Sequence, residues 1–198
     1  VLDKQGADAV RWYFYTGSSP WLPSSFSAEA VSEYQRKFMG TLWNTYAFYI
    51  LYAEIDGFDP TKHRLNRDNL SAMDRWILSR LNTTVELVDS QLDSLKITEA
   101  GRELVKFVDE LSNWYVRRCR ERYWGKEMTA DKEAAYMTLY TVLETLCRLI
   151  APFVPFISEE MYQNLVRSVD VNAPESVHLC DYPQCDKSMM DAELESNM

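Results

Sequence analysis

Four arginines, Arg117, Arg118, Arg120 and Arg122, with Lys126 just beyond them, crowd into one stretch that also holds Trp114, Tyr115, Tyr123 and Trp124. A guanidinium presents two parallel N–H donors to phosphate or carboxylate, and an indole or phenol ring either fills a core or stacks on a base. At about 100° per residue the four arginines cover more than half of a helix circumference, so they cannot serve a single salt-bridge row. Arg117 and Arg120 are expected to face away from the apolar stripe of Leu104, Leu111 and Tyr115. Arg118 and Arg122 lie along that stripe, where bundle acids would be their partners. Taken singly, each arginine reads equally well as part of a solvated or ion-paired helix end. As a group in an acidic chain, they read better as a clasp for a polyanion. Trp114 and Tyr115 are expected in the core, and Trp124 is the better candidate for a partner contact.

Other chemistries have thinner support. The two histidines, His63 and His178, have no serine or cysteine beside them in a pattern that suggests a nucleophile and its base. The six glycines are scattered, so no phosphate-cradling loop is predicted and no catalytic residue is assigned. His178, Cys180 and Cys185 could offer soft ligands, but their spacing matches no common zinc knuckle, and no metal site is expected. Glu159 and Glu160 are adjacent and point different ways on a helix, which favours charge compensation at its N-terminus over paired acid/base work.

The elements that must position these residues read as helices. Gly6 to Phe14 predicts a short helix, ended by Gly17, Pro20 and Pro23. Ser27 caps a long one, with Val31, Tyr34, Phe38, Leu42, Thr45, Tyr49 and Tyr52 at helical spacing to about Ala53. Ser71 and Asp74 form a capping-box pattern ahead of Trp76, Leu78, Leu81, Val85, Val88 and Leu92. A third helix opens at Thr98 and Glu99 and runs without proline to about Gly125. Thr129 starts a fourth, broken at Pro152 and Pro155, and Ser158 is expected to cap a short fifth one. Residues 176–183 are expected extended, and the acidic tail from Lys187 to Met198 mobile.

Bulk properties agree with a helical globule. The 198 residues are 46% hydrophobic and 13% aromatic, enough for a core, and the net charge of −9 excludes nucleic-acid binding over the whole surface while leaving room for a local basic patch. The longest apolar stretches, Leu42 to Ala53 and Leu146 to Ile157, fall short of the roughly 20 residues of a membrane span. Four sparse cysteines point to a reducing cytoplasm rather than a disulfide framework. The chain opens on Val1 with no targeting pattern, as a fragment would.

Several of these segments resemble the anticodon-binding region of class I isoleucyl-tRNA synthetases, over nearly all of residues 1–183. They are Gly6 to Tyr13, Arg36-Lys37-Phe38 with Leu42-Trp43-Asn44-Thr45-Tyr46, Met73 to Leu81, Ser112-Asn113-Trp114-Tyr115-Val116-Arg117-Arg118, and Leu149 to Phe156 followed by Ser158-Glu159-Glu160. Asp8-Ala9 and the proline-rich break are shared with valyl, leucyl and methionyl relatives, whereas the Ser112 to Arg118 run looks isoleucyl. Ala47 stands where relatives often carry arginine, which weakens a role for the Asn44 face.

The resemblance implies an all-α, antiparallel helix bundle with a short N-terminal stem-contact helix. Residues 1–26 would form the stem-contact segment and loop, 27–168 the bundle, and 169–198 an extended segment and tail. It implies a partner, the isoleucine-accepting tRNA, contacted by Arg117, Arg118, Arg120, Arg122, Trp124, Lys126 and Asn44. The catalytic and editing domains, with ATP and in some members zinc, would lie elsewhere in the parent chain. This chain is expected to be cofactor-free, inactive alone, monomeric and away from membranes. The competing readings are the same region of a valyl or other class I synthetase, and a helical protein-interaction module.

Overall fold

A computed structural model describes residues 1–198 except Pro20 and Ser24, so the expected part of Pro20 in ending the first helix lies outside the described residues. Among the described residues ten α-helices follow in order: α1 Leu2–Gln5, α2 Ala7–Thr16, α3 Ala28–Gln35, α4 Thr41–Asp56, α5 Ala72–Asp93, α6 Ile97–Asp109, α7 Arg117–Cys119, α8 Ala130–Ile150, α9 Pro155–Tyr162 and α10 Ala192–Asn197. No strand occurs among the described residues.

Local chemistry sets the helix starts. Ser27 accepts from the Ala30 amide, Thr129 from the Lys132 amide, and Ser71 with Asp74 closes a reciprocal capping box. The fifth start differs from expectation. Pro155 occupies the first turn of α9, where its missing N–H costs nothing, and Ser158 instead donates back to the Val154 carbonyl. Glu159 is therefore not a cap either; it accepts from the Ser176 hydroxyl and the Val177 amide and holds the returning chain.

Among the described residues, two π-helical turns, Arg36–Gly40 and Glu110–Val116, are set within otherwise continuous helical runs, and a third, Gln163–Arg167, ends the run of α9. The first joins α3 to α4 and the second joins α6 to α7, so two of the long helices read from the sequence exist but change pitch midway. From Arg120 to Tyr123 the third run tightens to 3-10 geometry.

Three residues, Ser94 to Lys96, connect α5 to α6, which pack as an antiparallel pair, with Leu95 in the left-handed region at φ 58. Both α4 and α5 pack on α8, and the core they share is continuous, with Leu104, Phe107, Leu111, Tyr115, Leu139, Leu143 and Leu146 wholly enclosed. At the other end α2 lies against α3 and α6, and Trp12 stacks on Phe38 with ring centroids 3.8 Å apart. That approach is close enough that a Cβ on Gly101 would meet Thr16 Cγ2 at 2.4 Å.

Asp8 and Arg11, one helical turn apart on α2, explain how the proline break between α8 and α9 is stabilised. Arg11 donates to the Pro152 and Phe153 carbonyls at 2.8 and 3.1 Å, and Asp8 accepts from the Ile157 amide at 2.8 Å. A cation thus meets the carbonyl end of one helix and an anion the amide end of the next. Burial raises the Asp8 carboxyl above its ordinary range, opposed by the Ile157 amide.

The tail corrects the expectation of a mobile segment. Glu195 on α10 accepts from Ser79, from Arg80 Nη1 at 3.1 Å and from Thr83 Oγ1 at 2.8 Å, while Ser79 Oγ accepts from the Asp191 amide at 2.7 Å. Lys187 reaches Glu86 at 3.3 Å. The tail therefore packs along α5, because α5 carries Ser79, Arg80 and Thr83 on one face as a row of donors. In residues 176–183 the expected extended segment holds a 3-10 turn at Val177–Leu179.

Candidate nucleic-acid interface

The arginine run divides sharply. Arg122 is internal. Its Nη1 and Nη2 donate to the two carboxylate oxygens of Asp74 at 2.7 and 2.9 Å, and its Nε donates to Asp131 Oδ2 at 2.9 Å. Asp74 is fully buried and also accepts from the Tyr115 hydroxyl at 2.6 Å and from Ser71. Burial alone would raise this carboxyl; the Arg122 and Tyr115 hydrogen bonds outweigh it and hold the pKa below the ordinary carboxylate range. The guanidinium is correspondingly held charged by Asp74 and Asp131 against its own burial. Arg122 thus meets bundle acids, as its place on the stripe suggested, and is corrected from a tRNA contact to a clamp tying the end of this helical run to the start of α5.

The remaining cations of the run are on the surface. Arg117, Arg118, Arg120 and Lys126 are exposed, and none forms a salt bridge among the described residues. Arg118 does not pair with a bundle acid as its position on the stripe suggested; its guanidinium sits 3.6 Å from the Trp114 ring centroid. Arg120 lies 5.6 Å from the Trp124 ring, and Trp124 is 53% exposed. The two guanidinium–indole pairs keep charge at the surface while flattening it against an aromatic face, which lowers the entropy cost of binding a partner. Tyr115 and Tyr123 are core residues, and Tyr123 donates to the Ala135 carbonyl at 2.9 Å.

Asn44 is exposed on α4 but belongs elsewhere. With Gln5, Asp8, Gln35 and Trp43 it lines a separate cleft of ≈ 440 Å³ beside the N-terminal helices, to which no residue of the arginine run contributes. His178, Cys180 and Cys185 form no group with metal-binding geometry among the described residues.

Sequence reasoning missed a second feature next to the arginines. A cleft of ≈ 580 Å³ opens between α5, the π turn at Glu110–Val116 and α10, with Trp76, Arg80, Lys106, Glu110 and Trp114 among its walls. Trp114, expected in the core, is only half-buried and forms one of these walls. A sequence signal did exist, since Arg80 stands four residues after Trp76 on the buried face of α5, where an arginine needs partners.

A family model described as the anticodon-binding domain of tRNA ligase matches residues 74–198. The chain is 58% identical over 198 residues to an isoleucine–tRNA ligase of Clostridium novyi and 54% identical over 198 residues to that of Clostridium kluyveri; each match takes in 100% of this chain and 19% of the relative. The corresponding Bacteroides thetaiotaomicron ligase is 44% identical over 199 residues, with 17% of its length matched. The chain therefore spans under a fifth of the length of these curated relatives. Among solved structures, the LeuRS of Agrobacterium radiobacter K84, in a ternary complex with tRNA and LeuAMS, superposes with a TM-score of 0.71 at 18% identity, over 97% of this chain and 21% of that one. That likeness is one of fold.

Proposed function

Because the chain belongs to the anticodon-binding domains of tRNA ligases, we propose that it holds a transfer RNA, the isoleucine acceptor, for aminoacylation carried out elsewhere in a longer parent chain that uses ATP. The observation that carries this reading is the set Arg117, Arg118, Arg120 and Lys126, exposed and free of salt bridges among the described residues, at the end of one helical run of a chain with net charge −9. Unpaired surface cations concentrated in one place attract a polyanion, and release of its counterions drives binding. Arg122 contributes indirectly: by locking the helix end to Asp74 it fixes the direction in which the neighbouring cations project. Contacts of this kind to the phosphate backbone set register and orientation without reading sequence. The side chains of α2, clipped to the α8–α9 junction by Asp8 and Arg11, form a rigid second support, consistent with a brace against the stem of the same RNA.

The test is the salt dependence of tRNA binding. Replacing Arg117, Arg120 and Lys126 together by alanine is expected to weaken binding to several tRNAs alike and to flatten the log–log salt slope by roughly 0.7 to 0.9 for each phosphate that is no longer neutralised. An unchanged slope would remove this surface from the interface. A second reading has its own observation. Phe14, Trp21 and Leu22 are more than half exposed and Phe26 nearly half, and the Phe14 and Phe26 rings stack with centroids 5.5 Å apart. An apolar patch of this kind suits contact with protein. If the patch is the only working surface, purified tRNA fails to bind at low salt.

A further inference from the structure

The cleft between α5, the π turn and α10 has an unusual balance of unused hydrogen-bonding groups. Arg80 is only 8% exposed; its Nε donates to Glu110 at 3.0 Å and its Nη1 to Glu195 at 3.1 Å, but Nη2 is buried with no partner among the described residues. The indole Nε1 of Trp114 is likewise buried and without an acceptor among them. Both residues line the same cleft. Neither atom is open to water as the cleft stands, so a small rotation of the Arg80 or Trp114 side chain must uncover them; an acceptor then placed against them returns the free energy that unpaired buried donors cost. Acceptors remain too: Asp109 uses Oδ1 for the Asn113 amide and Glu110 uses Oε2 for Arg80, so one oxygen of each takes no hydrogen bond among the described residues. Trp76 and Trp114 supply flat apolar walls.

Charge decides what kind of ligand fits. Asp109, Glu110 and Glu195 face Arg80 and Lys106 in the lining, three carboxylates against two cations, so a phosphate or carboxylate is not welcome there. A flat, neutral ring with a carbonyl beside a ring N–H satisfies both sets of groups, its oxygen toward Arg80 and Trp114 and its N–H toward a carboxylate. Uracil and guanine have that edge; adenine lacks the carbonyl and cytosine the ring N–H. Arg118, stacked on Trp114, places an exposed cation against one of the cleft's wall residues, available to the backbone that carries such a base. We propose that this cleft receives one unpaired uracil or guanine of the bound RNA, with Arg80 and Trp114 donating to its carbonyl. This rests on the RNA-holding reading and adds to it a pocket that discriminates between bases, as single-stranded recognition requires.

The experiment compares binding of hexauridylate and hexaadenylate to the chain at low salt, with Trp114→Phe as the variant that keeps an aromatic ring and removes the donor. Wild type is expected to prefer hexauridylate about tenfold, as one well-placed pair of hydrogen bonds allows. Trp114→Phe should bring the two within about twofold while its Tm and salt slope stay those of wild type. Equal binding of both oligomers by wild type, or a preference that survives in the variant, overturns the pocket. A nitrogen-15 spectrum, with the Trp114 indole peak identified by its loss in the variant, separates the two readings. That peak should move with uridine monophosphate and stay put with adenosine monophosphate even if the arginine surface proves not to bind RNA. No movement with either sinks the pocket alone.

Discussion

Arg122 and Arg80 are both largely buried arginines that join helices through carboxylates, and they end in opposite states. Arg122 has every nitrogen engaged, by Asp74 and Asp131, and Asp74 in turn serves Tyr115 and the capping box of α5. Arg80 is engaged by Glu110 and Glu195 at Nε and Nη1 and keeps Nη2 in reserve. Asp74 is sealed, whereas Glu110 and Glu195 keep 23% and 14% of their side-chain surface exposed. A closed pair holds architecture, and a half-open one beside a cleft leaves a donor for something else.

The widest gap between the two should appear when each arginine is replaced by leucine. Arg122→Leu leaves the Asp74 carboxylate buried without its counter-charge and is expected to cost about 3–5 kcal/mol in urea unfolding. In wild type the Asp74 pKa is depressed, so its contribution is complete above the unfolded value of about 3.9 and is lost as pH falls through the folded value. In the variant, burial dominates and the folded pKa rises above the unfolded one, which reverses the sign. The difference in stability between wild type and variant should therefore be largest near neutral pH and shrink as the solution is acidified through the carboxylate range. A pH-independent difference would mean that the loss comes from packing rather than charge.

Arg80→Leu should cost less, about 1–2 kcal/mol, because water reaches both of its carboxylate partners. A loss as large as that of Arg122→Leu would erase the distinction between closed and open pairs. The smallest effect is expected from Glu195→Ala, which frees Arg80 Nη1, Ser79 and Thr83 from the tail. Global stability should fall by only about 1 kcal/mol, while amide exchange speeds up selectively from Lys187 to Asn197. Exchange rates that rise equally across α5 and α6 would show the tail to be part of the cooperative core.

Much of this molecule is legible in its sequence. Ser27, Ser71 with Asp74, and Thr129 announce helix starts because capping is settled within four residues of chain. The basic run at Arg117 to Lys126 is also visible, since charge clustering needs no tertiary information. What fails needs distant partners. Arg122 reads both as a stripe residue that needs a bundle acid and as one of the RNA contacts; which acid takes it is not legible because Asp74 lies 48 residues away, and the same distance hides the second role of Asp74 behind its local one as a cap. The tail reads as mobile because its partners, Ser79, Arg80 and Thr83, sit more than 100 residues earlier. The cleft exists only where α10 returns to α5, so neither segment reveals it alone. Arg118 is misplaced for a different reason. About 60° round the helix from Tyr115 it stands at the edge of the stripe, where it lies over the half-buried Trp114 ring instead of meeting an acid; the π turn at Glu110–Val116 is not the cause, since Arg122 beyond the same turn meets its acid.

That wider turn acts on everything downstream of it as a phase offset. A π turn takes up one residue more than an α turn, so each side chain beyond Val116 is rotated by about 100° from where an unbroken helix would leave it. Excising a single residue such as Ser112 together with the wide turn would therefore leave every downstream side chain pointing as it does now, Arg122 toward Asp74 and the outward-facing cations to the surface, whereas excising one residue from a regular stretch of the helix would turn them all.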